Sequence, residues 1–102
     1  MSRRDQLEQL LKDAPNDVFL NYALAKQHIS EGETEKGLEQ FDQTLKIDPS
    51  YVPAYFQKGQ VLAEQGDIQA AKNVLTKGME VAEKTGDQHA LGEMREFLQM
   101  LG

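Results

Sequence analysis

"AYFQKGQVLAEQGDIQAAKNVLTKGMEVA", residues 54–82, reads as two helices folded back on each other around Gly66 and Asp67. Tyr55, Gly59 and Leu62 before the turn, and Ala71, Leu75 and Gly78 after it, keep the three- and four-residue spacing of one helix face. Two of those positions are glycines in mid-helix, where glycine costs roughly 1 kcal/mol relative to alanine. A residue that weakens its own helix needs a reason from outside it. Close approach of a second helix supplies one, since a larger side chain would hold the two backbones apart.

The same punctuation occurs 34 residues earlier. Pro15 and Pro49 share that offset, as do Gly32 and Gly66, each glycine being followed by an acid, Glu33 or Asp67. Asn16 and Ser50 pair in the same way, one of them a candidate N-cap before an apolar run, and so do Val18 and Val52. Leu7, Phe41 and Leu75 form a bulky series, with Leu11, Leu45 and Met79 as a second. The small-residue pairs are Ala25/Gly59 and Gly37/Ala71, and Leu10, Thr44 and Gly78 make a third set. A fixed period of this length marks a repeat architecture.

These marks predict six helices, near 3–13, 17–31, 34–47, 52–65, 68–84 and 87–100. The first ends at "DAP", because the residue before a proline is pushed out of helical geometry. Pro53 is tolerated in the first turn of the fourth. In the last helix Ala90, Leu91, Met94, Phe97, Leu98 and Leu101 keep helical spacing but match neither copy in register, as terminal units of repeat arrays often do.

With 102 residues the chain is expected to form one domain. Hydrophobic residues make up 39% and charged residues 27%, a globular and not a disordered composition. The absence of cysteine excludes disulfides, thiolate metal sites and cysteine nucleophiles. A net charge of −6, with no clustering of the 11 Lys and Arg residues, opposes nucleic acid as a partner. "MSRRDQLEQLL" lacks the apolar centre of a secretory signal, and no run approaches a membrane span, so a cytoplasmic location and no membrane partner are expected.

Two helices per 34-residue period resemble the tetratricopeptide repeat. Tyr55 stands at the opening aromatic position, Gly59 at the small one, Leu62 at the later bulky one and Gly66 at the turn; Ala71, Leu75 and Gly78 fill the second helix. Leu24, Ala25, Gly32, Gly37, Phe41 and Pro49 carry the resemblance in the first copy. Asn21, His28, Thr44 and Glu83 depart from it, and the loss of proline at 83 leaves the fifth helix free to run toward Gly86. The resemblance implies an all-α fold, a short right-handed superhelix of antiparallel helix pairs. Its parts are a half-repeat helix at 3–15, repeats at 18–51 and 52–85, and a capping helix at 87–101. It also implies a non-catalytic module that binds a peptide or helix of a partner in a concave groove, with no cofactor.

Phe19, Tyr22, Lys26 and Ile29 form a stripe apart from the packing stripe Leu20, Leu24, Ala25 and His28, so this helix is apolar on more than one side. In the second copy Pro53, Phe56, Gln60 and Ala63 take those places. Candidate binding residues are therefore Phe19, Tyr22, Lys26, Ile29, Phe56 and Gln60, their rings giving area and their polar groups register. The competing reading is that neighbouring helices bury the rings. Tyr22 and Phe56 stand where one subset of the family has Lys or Asn, and Gln60 where it has Asn, so its clamp for a terminal carboxylate is not expected. A second functional reading is self-association through the last helix, by way of Leu91, Met94, Leu98 and Leu101. Net acidity favours basic or apolar ligands over acidic ones, within the limits set by screening.

His28 and His89 lack the partner spacing of a metal or general-base motif, and His28 on a packing stripe reads as a core residue, His89 as exposed. No HExxH, GxGxxG, GKS or GxSxG pattern occurs, and the carboxylates read as solvated helix faces. An enzyme is not expected.

Overall fold

The computed structural model describes residues 1–102, which form six helices and no strand: α1 (Arg3–Asp13), α2 (Val18–Ser30), α3 (Thr34–Ile47), α4 (Val52–Glu64), α5 (Ile68–Thr85) and α6 (Gln88–Met100). The helices group into two compact units, Met1–Tyr51 and Val52–Gly102, dividing where the second copy of the 34-residue period begins. No helix is long and apolar enough to cross a membrane.

In the first unit the short connection at 31–33 folds α3 back along α2, and α1 packs on α2 through Leu7, Ala23 and Leu24. Phe41 is fully buried here, as is Leu75 at the equivalent position of the second unit. Each such side chain contributes roughly 1.5–3 kcal/mol by leaving water. In the second unit α5 meets both α4 and α6, and Val52, Leu75, Ala82, Leu91 and Met94 make the core.

The interior glycines sit at the close approaches. A methyl group added at Gly59 would come within 2.7 Å of Leu75 Cδ2, and one at Gly78 within 2.6 Å of Tyr55 Cβ and 2.8 Å of Met94 Sδ. At Gly37 it would run into the Ile29 side chain and reach 3.0 Å from the Ala25 carbonyl oxygen. Small residues recur at this period because facing helices fill the missing volume.

Helices α2, α4 and α5 end alike. Gly32, Gly66 and Gly86 adopt φ of 81°, 85° and 79°, and the next residue's N–H returns to the carbonyl of His28, Leu62 or Ala82. This is the Schellman closure, which satisfies carbonyls that the helix end leaves open. With no proline at 83, α5 runs to Thr85, 18 residues against 14 in α3.

Three expectations need correcting. Asp17, and not Asn16, caps α2, its carboxylate accepting from Leu20 N at 2.9 Å. Ile29 does not line an open face, because its side chain lies against Gly37 of α3. Leu91 and Met94 are buried in the core of their own unit and Leu98 and Leu101 are partly buried against it, so the four do not form one exposed face.

Candidate functional site

Helix α2 positions Phe19, the one large apolar side chain of its stripe that stays largely open to water. Its packing side is committed: Ala23 and Leu24 meet Leu7 of α1, and Ala25 is fully buried beside Gly37. One turn on, Tyr22 is half-buried between two rings, with centroids 6.0 Å from Phe41 and 5.3 Å from Tyr51. Burial first, and then the neighbouring Tyr51, raises the Tyr22 hydroxyl above its ordinary value. The phenol therefore stays neutral, and the Lys26 ammonium lies over its ring, 5.5 Å from the centroid, as a cation–π contact.

Phe19 is 60% exposed, one of four large hydrophobic side chains left open in the chain. It borders a cavity of about 310 Å³ lined by Arg3, Phe19, Tyr22, Ala23, Lys26, Gln27 and Ser30. Its lining holds two aromatic rings and two cations and no carboxylate. Of the predicted residues, Phe19, Tyr22 and Lys26 meet here, and Ile29 does not. Arg3 of α1 and the polar pair Gln27 and Ser30 were missed. Arg3 belongs to a helix outside the stripe on α2, so α2 periodicity alone gave no signal for it.

In the second unit Phe56 packs edge-on against Phe97 of α6, 6.1 Å between centroids, and joins the periphery of the core. Gln60, one turn further along α4, is partly exposed.

A polar cluster lies at the α2–α3 turn. Arg4 Nη1 donates to Glu31 Oε1 at 2.8 Å and to Glu33 Oε1 at 3.0 Å, while Lys36 Nζ stands 2.9 Å from Glu33 Oε2. The hydrogen bond from Lys36, followed by the charges of Lys36, Arg4 and His28, holds the Glu33 carboxyl below the usual carboxylate range against a smaller opposing effect of desolvation. His28 Nδ1 is buried without a hydrogen-bond partner, 3.8 Å from Glu33 Oε1. Potential ligand atoms of His28, Glu31 and Glu33 thus come within 4.8 Å of one another, a juxtaposition that the spacing of histidines alone did not reveal. Arg4 already occupies both carboxylates. His89, by contrast, is exposed and lies 3.2 Å from Glu93.

Asn21, at the position of Tyr55 in the second copy, is 2% exposed. Its amide donates to the carbonyls of Pro15 at 3.1 Å and Asp17 at 2.8 Å, and its oxygen accepts from Gln40 Nε2 at 2.6 Å. The departure from an aromatic residue is thus a satisfied polar network that ties the α1–α2 connection to α3.

Helix pairs repeated at 34 residues, nested through small side chains and exposing an aromatic and cationic face, define a helical-repeat interaction scaffold. The chain is similar to tetratricopeptide repeat proteins, and a family profile described as tetratricopeptide repeat matches residues 41–73. It is 27% identical over 95 residues to a TPR repeat-containing protein of Pseudomonas aeruginosa, covering 93% of this chain and 90% of that one. Among solved structures, a protein from Bordetella parapertussis superposes with a TM-score of 0.87 at 27% identity, over 99% of this chain and 88% of that one. A tetratricopeptide repeat domain protein from Salinibacter ruber gives 0.81 at 29%, over 85% and 88%. The fold supports protein–protein interaction in general, and the family is generally non-catalytic.

Proposed function

We propose that this chain is a cytoplasmic, non-catalytic adaptor whose residues 1–102 serve as one functional domain, and that it binds a peptide segment or helix of a partner protein. The binding face is the side of α2 that carries Phe19, Tyr22 and Lys26, and Phe56 and Gln60 offer a further face on α4. The observation that carries this reading is the 60% exposure of Phe19 at the edge of a cavity floored by Tyr22. An aromatic side chain open beside a concave, partly apolar wall offers the kind of anchor on which interaction sites rely. Rigid support comes from below, since Phe41 and Tyr51 fix the Tyr22 ring and leave little side-chain freedom to be lost on binding.

Phe19→Ala tests it. The residue is largely exposed, so helicity and thermal midpoint should stay close to wild type, within about 0.5 kcal/mol. Peptides selected from a random library by the wild-type chain should lose at least about tenfold in affinity for the variant, or roughly 1.4 kcal/mol. Unchanged affinity across the selected set would exclude this face.

A further inference from the structure

The charge around this cavity runs against the charge of the chain. The protein carries −6 overall, yet the residues lining the cavity include Arg3 and Lys26 and no Asp or Glu. Elsewhere in the first unit Arg4 pairs with Glu8, Glu31 and Glu33, and Lys36 with Glu33. Arg3 and Lys26 form no ion pair, and the Lys26 ammonium lies over the face of Tyr22. The polar groups between them are partly used up within the chain. Gln27 Nε2 donates to Glu31 Oε2 at 2.9 Å, and the Ser30 hydroxyl donates to the Gln27 carbonyl at 2.8 Å. Carboxylates from outside are the complement that the rim lacks.

We propose that this cavity selects an acidic peptide segment, in which Asp or Glu side chains meet Arg3 and Lys26 while a neighbouring aromatic or large aliphatic side chain packs on Phe19 and Tyr22. The proposal rests on the reading of α2 as the binding face and adds the chemistry of the partner. It reverses the expectation drawn from net charge, and the physical reason is range. Dispersed surface acids act through solvent and are screened beyond about 8 Å at physiological ionic strength, whereas the two rim cations would touch the ligand. Overall repulsion slows the encounter, and the local pair determines which segment stays.

Selection from random dodecapeptides, fused through their C-termini so that no free terminal carboxylate is displayed, tests the proposal on the full chain. The expected outcome is enrichment of Asp and Glu beside an aromatic or large aliphatic residue. Binding of the selected peptides should fall at least about tenfold in the Arg3→Glu, Lys26→Glu double variant, and should weaken with added salt. Both positions are exposed, so the variant should keep the wild-type circular dichroism spectrum. A parallel Arg3→Gln, Lys26→Gln variant should lose less. Selected peptides that need Phe19 but are basic or neutral would overturn the acidic preference and leave the binding face standing. Acidic peptides that bind the double variant undiminished would also overturn it. If no selected peptide depends on Phe19, the face and the preference fall together.

Discussion

Gly37 and Gly78 occupy mid-helix positions under similar crowding, yet they should respond differently to alanine. The methyl group at Gly78 would meet Tyr55 Cβ and the Met94 sulfur, and the Cβ cannot move unless α4 moves with it. Overpacking of this kind costs about 1–3 kcal/mol, and the better helix propensity of alanine returns only about 1. At Gly37 the obstacle is mainly the far end of Ile29, which can change rotamer, and the second copy already holds a fully buried alanine, Ala71, at that position. Denaturant unfolding should therefore place Gly78→Ala about 1–2 kcal/mol below wild type and Gly37→Ala within about 1. Equal losses would mean that the crowding at Gly78 relaxes freely.

At the level of elements, the two copies solve the same turn with different acids. Asp67 is short enough for its carboxylate to accept from Ala70 N, 3.3 Å away, and so it caps α5. Glu33 makes no such cap, and its longer side chain instead reaches Lys36 and Arg4, the latter on α1. The Glu33 carboxyl lies below the usual range when folded, so its contribution is present above its unfolded value and is lost as the pH falls through the folded one. The thermal midpoint of Glu33→Gln should accordingly lie below wild type near neutrality and converge with it as the pH falls below the usual carboxylate range. A gap that persists at low pH would point to a loss other than charge.

Much of this level was legible in the sequence. The six helices lie within a residue or two of their expected limits because proline, glycine and the acids after glycine act locally. What escaped was long-range. Asn21 read only as a missing aromatic, since nothing in its neighbours announces Gln40 on another helix. Ile29 kept the spacing of the exposed stripe, but the missing side chain of Gly37 drew it inward. The leucines and methionine of α6 had the pattern of an amphipathic helix, which does not distinguish a face packed in its own unit from one offered to another molecule.

For the molecule as a whole, an acidic surface coexists with a cavity whose rim is cationic. Neither the length nor the net charge foretold this, because it depends on Arg3 of α1 and Lys26 of α2 meeting across one cavity. Specificity in such a scaffold resides in the few side chains presented outward, and the repeat itself only holds them still. Titration of a selected dodecapeptide into ¹⁵N-labelled protein, read residue by residue, bears most directly on where that presentation occurs. Amide shifts concentrated at Phe19, Tyr22, Lys26 and Ser30 are the predicted result. Shifts centred on α6, with α2 unmoved, would contradict it.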